Sequence, residues 1–184
     1  PCFTMRHVFP RSLYCELINL CLDRVQQNDK YRLVLHWQIL KAASLFFDQY
    51  QLAGKKMPVT VALGGDPLYI WCGQAPMPHG MFEMLLYGFV RNKNAQLVKS
   101  ITNNIYIPRD VDVVIEGFVD PEVMEIEGPF GDQTGYYKLK EPFPVMDVEQ
   151  PLFLKVNYRL RWFVLPAKWS FFHTNYVTHE HYQA

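Results

Sequence analysis

What this chain lacks narrows its possibilities first. Lysine plus arginine equals aspartate plus glutamate at 18 each, so no basic surplus marks a nucleic-acid surface. The four cysteines stand at 2, 15, 21 and 72 without a Cys-x-x-Cys pair, which supports neither a zinc site nor a disulfide framework. A reducing cytosol is the expected setting. No apolar run approaches the roughly 20 residues that cross a bilayer, and the opening residues lack the basic-then-apolar order of a secretion signal. The expectation is a cytoplasmic protein whose membrane association is at most peripheral. Internal repeats and low-complexity segments are missing too.

What remains is a globular composition, with 49% hydrophobic, 15% aromatic and 20% charged residues. A length of 184 residues suits a single domain with a sizeable core, and 1–184 reads as one domain. The stretch that organises it is Glu127-Gly128-Pro129-Phe130-Gly131-Asp132. Two carboxylates flank a turn in which glycine allows positive φ and proline fixes its own φ, so the spacing between the acids is rigid. Paired acids near a cation have separated pKa values, and one of them can carry a proton while the other stays charged.

Taken in order, residues 1–10 read as an irregular or extended lead-in. Leu13, Leu17, Leu20, Cys21, Leu22 and Val25 recur near helical spacing, which predicts a helix over Ser12–Gln26 with Ser12 as its cap. Tyr31–His36 predicts a short strand, and apolar residues at 39, 42, 43, 46, 47 and 50 predict a helix from Trp37 to Tyr50 that Gly54 stops. Met57–Leu63 predicts a strand closed by Gly64-Gly65, with Asp66 capping a short helix that Pro67 opens. Ala75-Pro76-Met77-Pro78 is a proline-held loop ahead of a helix over Met81–Val90, with Glu83 near its start. Gln96–Ser100, Ile105–Ile107, Val111–Val119 and Phe143–Val148 predict strands, and short strands between turn residues argue an antiparallel sheet closed on itself or a sandwich. His179 and His181 in the terminal stretch read as a solvated tail.

Several of these words, in this order, resemble the UbiD family of decarboxylases. They are PVTVALGGDP (58–67), APMP (75–78), Phe82-Glu83 with Leu86–Phe89, Leu97-Val98-Lys99, VIEGFVD (114–120) and EGPFGD (127–132). With Tyr31–His36 the resemblance covers mainly residues 31–148, and 149–184 carries no family words, nor those of the family's second, C-terminal α/β domain. The resemblance implies an α+β fold, a split β-barrel of the flavin-reductase type with peripheral helices. It implies prenylated FMN as cofactor, supplied by a flavin prenyltransferase, with Mn2+ or Mg2+ and K+. By resemblance Arg32, Ala75, Pro76 and Met77 bind the cofactor, and His36, Glu83 and Asn28 ligate the metal. Arg32, Glu127 and Asp132 are the catalytic residues, either acid being the proton donor. The family separates its arginine from its histidine by about a dozen residues or more, whereas Arg32 and His36 are four apart (36 − 32). Leu40 and Gln133 stand where histidines would be expected.

The implied activity is reversible, non-oxidative removal of carbon dioxide from a small aromatic or α,β-unsaturated acid, such as the 4-hydroxybenzoate type of quinone biosynthesis, in a homo-oligomer. Two other classes fit the residues: a flavin-binding barrel without turnover, and a non-catalytic assembly fragment of a larger decarboxylase.

Overall fold

The structure is a computed structural model that describes residues 3–10, 21–37, 42–75, 77–78, 81–131 and 136–153. Six strands form its frame: β1 (Phe3–Pro10), β2 (Cys21–Asp29), β3 (Arg32–His36), β4 (Met57–Leu63), β7 (Val113–Glu127) and β10 (Glu141–Phe153). They are hydrogen-bonded in the order β1-β2-β3-β10-β7-β4, and β4 returns to β1 to close the ring. Every neighbouring pair is antiparallel. Two-stranded ribbons are made by β5 (Leu97–Lys99) with β6 (Tyr106–Pro108), and by β8 (Phe130–Gly131) with β9 (Tyr137–Lys138). Among the described residues three helices, α1 (Ala42–Ala53), α2 (Leu68–Gln74) and α3 (Met84–Arg91), complete a sheet-rich α+β fold. None of them is long and apolar enough to cross a membrane.

β4 is buried on both faces, which is why it reads as a near-continuous apolar run. Met57, Val59 and Val61 alternate into one cluster with Leu33, Leu35, Val119, Met146 and the α1 stripe Ala43, Phe47, Tyr50. Ala62 and Val114, from opposite faces of β4 and β7, join a second cluster with Tyr69 and Cys72 of α2 and Met84 and Tyr87 of α3. β7 and β10 approach closely where a Cβ on Gly117 would come within 2.1 Å of the Asp147 carbonyl oxygen. Only glycine fits there.

The expected strand at Met57–Leu63 is β4, and the turn after it is tight because Gly64 and Gly65 have φ of 85° and 81°. Asp66 caps α2 through Leu68 N–H at 3.0 Å. Its carboxylate also accepts from Tyr87 Oη at 3.1 Å and Arg91 Nε at 2.9 Å, tying the turn to α3. The Arg91 hydrogen bond holds the Asp66 carboxyl below its ordinary 3.8, with Leu68 N–H and Tyr87 adding to it against a smaller opposing effect of burial. A depressed folded pKa stabilises the fold above the unfolded value and loses that contribution as pH falls through the folded one. Asp66→Asn should therefore melt several degrees below wild type at pH 7, and the gap should close below pH 3.8. Thermal melts across that range check it; a gap that persists unchanged in acid would sink the ion-pair explanation.

Two predicted elements differ. Residues 21–26 of the expected Ser12–Gln26 helix are in β2, while 11–20 lie outside the described residues. The expected helix from Trp37 is α1 beginning at Ala42, and His36 ends a strand rather than opening a helix. Gly54 does stop α1, with φ of 60° and its N–H on Gln51 O.

Candidate active site

β7 carries Glu127 as its last residue, opposite Glu141 of β10. There the carboxylate is 3% exposed. A buried carboxylate has to be paired, and two strands from the far side of the sequence supply the partners. Arg24 of β2 forks onto it, Nε to Oε1 at 3.0 Å and Nη2 to Oε2 at 2.8 Å. His36 of β3 donates from Nδ1 to Oε2 at 2.9 Å, and Arg24 Nη2 also touches the His36 ring. Arg24 and His36 are direct cross-strand partners in the β2–β3 register, so the hairpin presents cation and imidazole together.

Aromatic rings close the group. The Arg24 guanidinium lies 4.4 Å over the Phe130 ring, and the His36 and Phe143 ring centroids are 3.9 Å apart. Burial pushes the Glu127 carboxyl up, but the His36 hydrogen bond and the Arg24 charge outweigh it. The net effect is a group held below the usual carboxylate range. Chemically this is a fixed, ionised acid in partly dry surroundings.

The other expected site residues fall in several places. Arg32 does not meet Glu127: it is half-exposed and pairs with Glu125 at 3.0 Å and Asp147 at 3.4 Å. It lies four positions from His36 along β3 (36 − 32), about 13 Å at the usual strand rise. The arginine that does meet the acid, Arg24, precedes His36 by twelve residues (36 − 24), the interval expected of the family's pair. Asn28 is exposed near the opposite end of the hairpin, donating to Glu125 Oε2 at 2.9 Å and to Ile126 O at 3.3 Å. Its amide is spent on protein partners and it does not join His36. Glu83 is buried at the head of α3. Ala75 and Met77 are half-buried in the loop after α2, which packs on β1 and β2. Pro76, Asp132 and Gln133 lie outside the described residues, as do Leu40 and 154–184.

For a metal the described residues do not suffice. No group of three His, Cys, Asp or Glu side chains among them could hold one. His36 keeps only Nε2 unspent by Glu127. Of the expected cofactor loop, Ala75 and Met77 follow α2, which packs on β1 and β2.

The UbiD 3-octaprenyl-4-hydroxybenzoate carboxy-lyase Rift-related domain matches residues 1–155. The chain belongs to the UbiD family. Among UbiD relatives, an uncharacterized protein of Helicobacter pylori strain 26695 is 51% identical over 146 residues, 79% of this chain. Only 24% of that relative is covered, so the chain spans about a quarter of its length. The UbiD-class enzyme HmfF from Pelotomaculum thermopropionicum, in complex with FMN, superposes with a TM-score of 0.75 at 27% identity. That match covers 79% of this chain and 33% of HmfF. An evolved dimeric form of HmfF in complex with prFMN matches with the same TM-score and identity, over 79% of this chain and 34% of its own. The relationship is therefore to decarboxylases of the UbiD class.

Proposed function

We propose that this chain forms the acid-bearing part of a UbiD-type carboxy-lyase that removes carbon dioxide from an aromatic or α,β-unsaturated acid with prenylated FMN. The observation that carries the reading is the buried Glu127 fixed between Arg24 and His36. Departure of carbon dioxide leaves an electron pair for which no side chain is an adequate sink, and prenylated FMN would supply that sink. The protein's own residues then bind, orient and protonate.

Glu127 is a poor proton donor, because every interaction around it favours the ionised form except burial. Asp132, five positions on (132 − 127), is the acid that takes this role. Arg24, not Arg32, stands for the family's arginine, holding Glu127 charged so that proton exchange is confined to Asp132. The asparagine expected just ahead of that arginine then falls at Asn19, and Mn2+ or Mg2+, with K+ beside it, would need it with His36 and Glu83 to complete a donor set. By the family resemblance Ala75, Pro76 and Met77 would bind the cofactor, and the barrel is of the split, flavin-reductase type. A flavin prenyltransferase supplies the cofactor, a 4-hydroxybenzoate-like acid of quinone biosynthesis is the substrate type, and the enzyme works as a homo-oligomer.

Co-production of the full chain with a flavin prenyltransferase, followed by absorption and mass spectrometry, should find prenylated FMN bound. Asp132→Asn should then lower decarboxylation and solvent deuterium incorporation by about 100-fold or more. A protein that stays free of flavin, or full activity in Asp132→Asn, would overturn the reading.

A further inference from the structure

We infer that Gln26 is a positioning residue, holding the turn after Glu127 so that the acid stays seated on Arg24. β2 points alternate residues to one face, and three of them, Arg24, Gln26 and Asn28, reach the same segment of β7. Arg24 takes the Glu127 carboxylate, Gln26 Oε1 accepts from Gly128 N–H at 2.9 Å, and Asn28 Nδ2 donates to Ile126 O at 3.3 Å. The three contacts fall on the adjacent residues 127, 128 and 126. Gln26 is 5% exposed, and its orientation is set from outside: Nε2 donates to Asn28 Oδ1, which leaves Oε1 facing Gly128. Flipping the amide would set N–H against N–H.

The need for this rung follows from the ladder. Glu127 is the last residue of β7 paired with β10, at Glu141, and Gly128 leaves the strand with φ of 103°. Its half-buried N–H has no strand partner and would be stranded without Gln26. The Glu127 backbone is thus fixed by β10 before it and by Gln26 just after it. The side chain's aim at Arg24, and the path of the chain toward Asp132, depend on both.

The catalytic consequence rests on the decarboxylase reading, so the test has arms that do not. In the full chain, Gln26→Met preserves volume and removes the acceptor. Gly128 amide exchange should accelerate about fivefold or more, and the NMR signal of Arg24 Nε–H should shift as Glu127 loosens. Asn28→Ala, which frees the Gln26 amide to rotate and also removes the bonds to Glu125 and Ile126 but leaves the Gln26 acceptor in place, should give a smaller change in the same direction and serves if Gln26→Met fails to fold. In enzyme loaded with prenylated FMN, kcat should fall about tenfold or more with KM within about twofold. Unchanged Gly128 exchange, or an unmoved Arg24 signal, overturns the inference. Altered signals with full kcat remove the catalytic role alone. Absence of turnover in wild type strikes the decarboxylase reading and leaves the exchange and NMR arms to decide the positioning of Glu127.

Discussion

Arg24→Met is expected to destabilise the protein by about 3–5 kcal/mol and, under the proposed function, to abolish decarboxylation. The magnitude follows from which partner is left behind. Arg24 is 11% exposed and Glu127 3%, so removing the guanidinium leaves a desolvated carboxylate with only the His36 contact. Methionine fills the volume, so cavity formation contributes little. Urea unfolding of wild type, Arg24→Met, Glu127→Gln and the double variant would measure the coupling. The double variant should recover part of the loss, because it no longer buries an unpaired charge. A loss below about 1 kcal/mol in Arg24→Met would mean that water reaches Glu127 and that the site is not dry.

A comparable loss is expected at a position that no chemistry requires. Glu116 of β7 is fully buried, and its carboxylate accepts Ile101 N–H at 2.9 Å, Thr102 N–H at 2.6 Å, Asn103 N–H at 3.2 Å and Thr102 Oγ1 at 2.5 Å. Three successive amides enclosing one anion make the turn at 101–103 a nest around the side chain. Asn103 carries the tie onward, donating from Nδ2 to Val59 O at 2.6 Å and Gly117 O at 3.0 Å, across β4 and β7. Glu116→Leu strands the amides as well as losing the bonds, and should cost about 3–5 kcal/mol by denaturant midpoint at constant slope. Glu116→Gln keeps one acceptor and should cost less. Equal losses in both would show that the charge, not the shape of the side chain, holds the turn.

The regular parts of the barrel were legible because their burial pattern is local. β-branched residues at 57–63 ending in Gly64-Gly65 give β4, and the spacing of Ala43, Phe47 and Tyr50 gives the buried stripe of α1. β2 was not legible. Its face toward Glu127 is Arg24, Gln26 and Asn28, so the apolar alternation that announces a strand is missing, and leucines upstream supply a helical period instead. The helical period over Ser12–Gln26 hid Arg24, while Arg32, which carries the resemblance, pairs with Glu125 and Asp147 instead of Glu127. β7 ran longer than expected, since Pro121 inside Val113–Glu127 reads as a stop. The acid Glu127 itself was visible, flagged by its turn; the interval of twelve residues between Arg24 and His36 was the signal that could have recovered its partner.

The place of β10 in the ring bears on how the site comes into being. β1, β2 and β3 pair in succession, and β4 joins β1 to β7, but the backbone ladder links β3 to β7 only through β10, the last strand of the ring in sequence. A chain emerging from synthesis up to Glu127 therefore has two open edges and no closed barrel, and the gap is filled by pairings such as Val145 with Val34. Such long-range closure is slow relative to hairpin formation. Arg24 and His36 can pair as a hairpin early, while Glu127 gains its fixed place beside Glu141 when the final strand is laid in. The acid and its cation are thus brought together late in folding, and an unclosed barrel holds the parts of the site without the site.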